Sequence, residues 1–116
     1  MKGKEDYEKK YDICCVGRLT EAKNPIRWLN IINEVKKQNN SIKCIWVGDG
    51  ELRDEFVAKI NELGLQESVK LAGFQKNPYK YLASSKVYLQ TSVWEGFGLS
   101  VFEALALGIP AVLIII

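Results

Sequence analysis

The feature that most constrains the fold is a regular change in the spacing of apolar residues along the chain. Short apolar runs rich in β-formers end at glycine or turn residues, and segments with apolar residues at helical spacing follow them. Strands that alternate with helices form βαβ units, which give a parallel sheet with right-handed crossovers. The sequence therefore predicts an α/β fold with a Rossmann-like, doubly wound parallel sheet.

Five strands are predicted, at residues 12–16, 42–47, 69–72, 87–90 and 111–116. Helices are expected to follow the first four of these strands, with Asn-Pro pairs opening the first and third helices and glycines closing the second and fourth. The helix signals are Asn24-Pro25, Gly64, Asn77-Pro78 and Gly108. The expected strand order is 3-2-1-4-5. A sixth strand would normally cover strand five, so the sheet is interpreted as truncated before it.

A length of 116 residues supports a single domain. Residues 1–10 carry seven charges and are interpreted as a leader or interdomain linker, with the domain itself at 11–116. The absence of His excludes Ser-His-Asp and Cys-His nucleophiles and His-ligated zinc. Sixteen basic and 14 acidic residues are too balanced to indicate a nucleic-acid partner. Three Cys in apolar runs favour reduced thiols in a cytoplasmic protein.

The predicted order makes strands one and four neighbours, and a crevice is expected outside their carboxyl ends. The loops that line it begin at Gly17 and Thr91. Arg18 and Lys23 would place two cations at its mouth, opposite a helix start. The free N–H groups expected there belong to Gly98, Leu99 and Ser100. Cations facing a helix N-terminus form a diphosphate site, and the alternative is a solvated basic pair beside a glycine-rich turn.

Glu95 and Glu103 form the pattern E-x7-E, with one residue on the loop and one on the following helix. Either could be a partner of the helix dipole or a solvent-facing residue. The neighbours of Glu103 on this helix are mostly apolar, so an isolated carboxylate there needs a hydrogen-bond partner. Hydroxyl groups of a sugar or a ribose would serve.

Four motifs together carry a resemblance to a known family. They are Gly17-Arg18-Leu19 with Lys23, then Val47-Gly48-Asp49-Gly50-Glu51, then Leu71-Ala72-Gly73-Phe74, and last Ser92-x-x-Glu95-Gly96-Phe97-Gly98-x4-Glu103-Ala104-x3-Gly108-x-Pro110. In this order they resemble the donor-binding domain of retaining glycosyltransferases with the GT-B fold, the family 4 group. The resemblance covers residues 11–113 and implies binding of a nucleoside-diphosphate sugar.

The resemblance also implies roles for individual residues. Arg18 and Lys23 would hold the donor diphosphate and stabilise the leaving nucleotide, and Glu95 would contact donor-sugar hydroxyls near the reacting carbon. Glu103 would hold the ribose, and Phe74 would lie where the base packs. The other implied donor contacts are Gly17, Gly48, Gly50, Gly96, Phe97, Gly98, Leu99 and Ser100.

The negative charge that develops on the leaving phosphate needs a fixed cation. Enzymes of the other major glycosyltransferase fold generally hold a divalent metal with Asp-x-Asp, but Asp occurs here only at positions 6, 12, 49 and 54. Arg18 and Lys23 would replace that metal, so we expect neither a metal nor a cofactor.

In the family an amino-terminal domain binds the acceptor and usually supplies a His, and this chain contains neither. The chain is therefore interpreted as the donor-side part of an enzyme of cell-surface polysaccharide or glycoconjugate synthesis, whose acceptor is a saccharide or a lipid-linked sugar. The acceptor domain would come in cis or in trans. A cloned fragment, a truncated reading frame and a subunit of a split enzyme all fit.

Three other functions fit part of the pattern. A non-catalytic nucleotide-sugar-binding remnant has the same residues. A nicotinamide-dependent dehydrogenase fits poorly, because Gly48-x-Gly50 follows the second strand and position 53 is Arg where a third Gly is needed. A glycosidase using Glu95 and Glu103 leaves Arg18 and Lys23 without a role.

The run 111–116 is apolar and free of proline. As an uncovered edge strand it would pair with a second copy, so we expect self-association. The same tail is able to touch a membrane surface. The expected location is therefore the cytoplasm, with any membrane contact peripheral and at the inner face.

Overall fold

The structure is a computed structural model that describes residues 8–92 and 99–114. A five-stranded parallel sheet is ordered β3-β2-β1-β4-β5, as predicted. The strands are β1 (Tyr11–Val16), β2 (Cys44–Val47), β3 (Val69–Gly73), β4 (Ser85–Gln90) and β5 (Ala111–Leu113). The helices are α1 (Pro25–Gln38), α2 (Arg53–Glu62), α3 (Tyr79–Ala83) and α4 (Leu99–Ala106). A 3-10 turn, Glu21–Lys23, precedes α1 and was not predicted.

The second strand is shorter than predicted because the residues before it are held by other bonds. The N–H of Ile42 donates to the carbonyl of Asn39 in a turn, at 3.2 Å. The N–H of Lys43 donates to a carboxylate oxygen of Asp12, at 2.9 Å. The sheet ladder therefore begins at Cys44. The predicted fifth strand is described only to residue 114, and Ile115 and Ile116 lie outside the described residues.

The two Asn-Pro pairs open their helices in different ways. Asn77 accepts a hydrogen bond from the N–H of Tyr79 through its side chain, at 3.1 Å. Asn24 occupies the predicted N-cap position, but its φ is +51° and its side chain makes no capping bond. The prediction that Asn24-Pro25 opens this helix is confirmed, although the Asn24 side chain does not cap it. Asn24 also closes the preceding 3-10 turn, where its N–H donates to Glu21.

The core lies on both faces of the sheet, and its largest members form an aromatic cluster. Trp28 on α1 and Trp46 on β2 are fully buried, as their places on a predicted helix and a predicted strand indicate. Their rings meet edge to face at 90°, with centroids 5.2 Å apart, and Phe56 of α2 packs 5.6 Å from Trp46. Such aromatic pairs add stabilisation beyond the area they bury. The cluster joins both helices to the centre of the sheet.

All three cysteines are buried and free of disulfides. Burial raises the pKa of Cys14 from 9.0 to about 11, and burial together with the nearby Asp12 raises the pKa of Cys44 to about 12. A thiolate is the reactive form of cysteine, so these two thiols are inert core residues at neutral pH.

None of the described helices is long and apolar enough to cross a membrane. The sheet edge at β5 pairs only with β4 among the described residues, and Val112 is 46% exposed there. These observations agree with the predicted self-association through this edge strand, which stays a prediction.

We expect self-association to depend on this edge. Replacing Val112→Lys puts a charge on it and should shift the chain toward monomer, because a charged edge strand resists pairing. Light scattering over a concentration series measures the change. Val57→Lys, on the exposed surface of α2, makes the same substitution at a site 40% exposed and should leave the association unchanged. A wild-type chain that is monomeric throughout would contradict the prediction.

Stability should fall as pH rises above about 9, the ordinary pKa of a thiol. Above that pH the unfolded chain loses thiol protons that the folded chain keeps. At pH 10 each buried thiol therefore lowers the free energy of unfolding by roughly 1 kcal/mol. Urea unfolding at neutral pH and at pH about 10 measures this loss. The double variant Cys14→Ala, Cys44→Ala should lose markedly less stability over the same interval. Equal losses in both proteins would refute the assignment.

Candidate functional site

The described residues just after β4 lie against the loop after β1 at the carboxyl edge of the sheet, where the crevice was predicted. β1 lies between β2 and β4. The hydroxyl of Thr91, just past β4, lies 3.2 Å from the carbonyl oxygen of Lys23 and 3.0 Å from that of Asn24. These contacts join the end of one loop to the start of the other. Within the described residues, the start of the β4 loop therefore lies against the end of the β1 loop.

The backbone at the end of β1 is held from below by two aromatic side chains. Tyr88 of β4 donates its hydroxyl to the carbonyl of Val16, at 3.0 Å. Trp46 of β2 donates its indole N–H to the carbonyl of Gly17, at 2.9 Å. The N–H of Gly17 donates to Val47, at 3.0 Å. The loop that carries Arg18 therefore starts from a fixed position.

Gly48 and Gly50 bring the loop after β2 against the loop after β1. A Cβ on Gly48 would lie 1.8 Å from the carbonyl oxygen of Gly17, and Gly48 has a φ of +148°. A Cβ on Gly50 would lie 2.5 Å from the carbonyl oxygen of Leu19. Only glycine fits at these two approaches. Sequence reasoning gave both residues a ligand-contacting role, and the structure shows a packing role for both.

A cavity of about 420 Å³ opens above the ends of β1, β2 and β3. Four predicted site residues line it together, namely Gly17, Arg18, Gly48 and Phe74. Phe74 is 76% exposed, so a flat aromatic face is available to a ligand. The other four lining residues are the apolar strand ends Val16 and Val47 and the polar Asp49 and Gln75. The lining thus combines an exposed aromatic side chain with the guanidinium group of Arg18.

Two polar side chains in this cavity were not assigned a role from the sequence. A carboxylate oxygen of Asp49 lies 3.5 Å from Nη1 of Arg53, and its other oxygen accepts from the N–H of Gly50. Gln75 donates its amide N–H to the carbonyl of Ala72, at 3.0 Å, which leaves its carbonyl oxygen as an acceptor. The sequence signal that could have identified Asp49 was its place inside the Val47–Glu51 motif. No sequence pattern marked Gln75 as a site residue.

Lys23 lies close to the start of the same loop. A Cβ on Gly17 would lie 3.2 Å from Cε of Lys23, so the lysine chain runs over the glycine. The 3-10 turn Glu21–Lys23 folds the loop back and places this side chain beside Gly17. The two predicted cations, Arg18 and Lys23, are thus carried by one short loop beside the same glycine.

The remaining predicted residues belong to the β4–α4 segment. Glu95, Gly96, Phe97 and Gly98 lie outside the described residues. Leu99 and Ser100 form the first turn of α4, as predicted. Glu103 is exposed and lines a separate groove of about 250 Å³ with Asn77, Pro78 and Tyr79. The structure does not bring Glu103 into the cavity that contains Arg18, so its ribose-binding role stays a prediction.

A further cavity of about 540 Å³ lies at the amino edge of the sheet. Lys10, Lys70, Lys80 and Tyr81 are among its lining residues, and none of the predicted site residues is. It is therefore separate from the predicted site. In the described part of the chain, no group of three or more Cys, Asp or Glu residues is arranged to hold a metal ion.

The contact of Gly48 with the first loop generates a stability prediction. Gly48→Ala should lower the free energy of unfolding by at least about 2 kcal/mol, because its methyl group would meet backbone that cannot move aside. Gly17→Ala is the matched control, since its methyl would meet only the flexible end of Lys23. We expect a loss below about 1 kcal/mol for the control in urea unfolding. Equal losses would disprove the close approach.

Comparisons with known proteins agree with this geometry. The chain is 40% identical over 97 residues to an uncharacterized glycosyltransferase of Methanocaldococcus jannaschii, with 84% of the chain and 24% of the relative covered. It is also 40% identical over 94 residues to the N-acetylgalactosamine-N,N'-diacetylbacillosaminyl-diphospho-undecaprenol 4-alpha-N-acetylgalactosaminyltransferase of Campylobacter jejuni, with 81% of the chain and 25% of the relative covered. The chain thus spans about a quarter of the length of these curated relatives.

Two solved structures with bound nucleotide have the same fold. A Staphylococcus aureus TarM mutant in complex with UDP, fondaparinux and alpha-GlcNAc-glycerol superposes with a TM-score of 0.88 at 27% identity, covering 94% of this chain and 22% of that one. Anabaena HepE in complex with UDP and glucose gives a TM-score of 0.78 at 26% identity, covering 90% of this chain and 29% of that one. The family model described as "Glycosyl transferases group 1" matches residues 1–114. The chain belongs to this family of glycosyl transferases.

Proposed function

We propose that this chain is the donor-binding domain of a retaining glycosyltransferase of family 4 and binds a nucleoside-diphosphate sugar. The observation that carries the proposal is the cavity at the carboxyl ends of β1–β3, which combines Arg18 with an exposed aromatic face at Phe74. UDP is present in the related TarM and HepE structures, which supports a uridine nucleotide as the first ligand to test.

In this proposal the diphosphate lies beside the loop that follows β1. Arg18 and Lys23 neutralise the charge that develops on the phosphate as the glycosidic bond to the nucleotide breaks. A fixed cation beside a departing phosphate lowers the barrier because it stabilises the charge only as that charge forms. No metal is needed for this step, so the proposed site is metal-independent.

The sugar and ribose contacts come from the second half of the chain. Glu95 would contact the donor-sugar hydroxyls, and Glu103 would accept hydrogen bonds from the ribose. Leu99 and Ser100 supply backbone N–H groups at the start of α4, where the helix dipole favours a phosphate. Phe74 packs against the base. Gly96, Phe97 and Gly98 stand between the two glutamates in the sequence and are proposed as further donor contacts.

Catalysis in this proposal requires an acceptor-binding domain in cis or in trans. The matched part of this chain covers only about a quarter of these relatives, which supports the need for further sequence. Related proteins named for amylovoran, capsular polysaccharide and poly(ribitol-phosphate) glycosylation support a role in cell-surface polysaccharide synthesis. The chain alone is expected to bind donor without transferring sugar, which a non-catalytic nucleotide-sugar binder would also do.

Calorimetric titration with UDP tests the proposal. The double variant Arg18→Ala, Lys23→Ala should bind UDP at least about tenfold more weakly, since charge-assisted contacts to the phosphates are lost. Chelator and added magnesium should leave wild-type binding unchanged.

The matched control is Lys37→Ala, Lys59→Ala, which removes the same charge at exposed pairs on α1 and α2. We expect its affinity for UDP to equal that of the wild type. Failure of the wild-type chain to bind UDP or any other nucleoside diphosphate would reject the function. Equal losses in both double variants would reject the assigned residues. Turnover by the chain with a supplied acceptor domain would separate the enzyme from the non-catalytic binder.

A further inference from the structure

We propose that Trp46 is a positioning residue for the diphosphate site and that it acts through the backbone of Arg18. The indole N–H of Trp46 donates to the carbonyl of Gly17, at 2.9 Å. That carbonyl belongs to the peptide group that joins Gly17 to Arg18. The proposal rests on the function proposed above, because it concerns how Arg18 is presented to the donor.

The carbonyl of Gly17 has no freedom to turn. The main chain of Gly48 lies against it so closely that an added Cβ would stand 1.8 Å from the oxygen. Trp46 itself is fully buried, so its ring is held on every side. The hydrogen bond therefore joins a fixed donor to a confined acceptor. Without the indole N–H, this part-buried carbonyl would lose its side-chain partner.

Peptide planarity transmits this constraint to Arg18. The C=O of Gly17 and the N–H of Arg18 belong to one planar trans unit and point in opposite directions. Because the carbonyl points toward the buried Trp46, the Arg18 N–H points away from that ring. Within residues 8–92 and 99–114 this N–H has no acceptor. Trp46 therefore fixes the main chain from which the Arg18 side chain reaches the cavity.

Gly17 makes this support necessary. A glycine has no side chain to restrict its backbone, so its two flanking peptide groups can turn more freely than those of other residues. Tyr88 holds the preceding peptide through the carbonyl of Val16, at 3.0 Å. Trp46 holds the following one. Of these two supports, Trp46 is the one on the side of Arg18.

Trp28 is a matched control within the same cluster. It is as fully buried as Trp46, and the two rings meet edge to face at a centroid distance of 5.2 Å. Its indole N–H also donates to a backbone carbonyl, that of Leu89, at 3.1 Å. Leu89 lies in β4, so this bond does not touch the loop of Arg18. Replacing either tryptophan by phenylalanine removes one indole N–H and a similar volume.

The experiment compares UDP affinity by calorimetry in the wild type, Trp46→Phe and Trp28→Phe, with urea unfolding to measure the stability of each. We expect Trp46→Phe to weaken UDP binding roughly three- to tenfold, the effect of one hydrogen bond. Trp28→Phe should change affinity by less than about twofold at a similar cost in stability. Equal losses of affinity would show that both tryptophans act only through the core, which overturns the proposal.

A double-mutant cycle with Arg18→Ala separates positioning from a general structural effect. If Trp46 acts through Arg18, the affinity losses of Trp46→Phe and Arg18→Ala should not add. Additive losses overturn the proposal. Absence of UDP binding by the wild type rejects the proposed function and this proposal with it. Normal wild-type binding with an unaffected Trp46→Phe rejects only the role of Trp46.

A second variant covers the case in which Trp46→Phe does not fold. Incorporating 3-benzothienylalanine at position 46 keeps the bicyclic shape and replaces the indole N–H by sulfur. The same weaker binding of UDP is expected, and unchanged affinity overturns the proposal.

Discussion

The arrangement of the crevice depends on one close approach between main chains, that of Gly48 to the carbonyl of Gly17. This contact requires a residue without a Cβ, and it fixes the distance between the loops that follow β1 and β2. The packing of Gly50 against Leu19 extends the same contact along the first loop. The cavity that contains Arg18 and Phe74 lies above these joined loops. The main-chain contact between these two loops therefore fixes the part of the cavity wall that they form.

Two aromatic side chains of the core provide a second constraint on the loop that follows β1. Trp46 and Tyr88 come from strands on either side of β1, and each holds one carbonyl at its end. The same Trp46 packs against Trp28 and Phe56, so the core and the site share a residue. Damage to the core at this position is thus expected to reach the loop directly, whereas damage at Trp28 is not.

Much of the fold followed from residue pattern. Alternating strands and helices predicted the sheet order, and Gly64, Gly108 and the Asn-Pro pairs placed helix ends correctly. Local pattern did not reveal how Asn24 behaves, because its left-handed backbone is set by the adjoining 3-10 turn. It also could not show that Gly48 and Gly50 pack on the first loop, since that depends on how close β1 and β2 bring their ends. Tryptophan at position 46 was predicted as core, but its bond to Gly17 depends on the three-dimensional register.

Phe74 differs from the rest of the cavity in how it is held. The loop after β1 is tied to β2, to β4 and to the β2 loop by the bonds described above. Phe74 is 76% exposed on the loop after β3. One wall is rigid and the other is open to substitution at little cost to the fold. A designer who wished to change which ring the cavity accepts would therefore begin at positions 74 and 75 and leave Gly17, Gly48 and Gly50 unchanged.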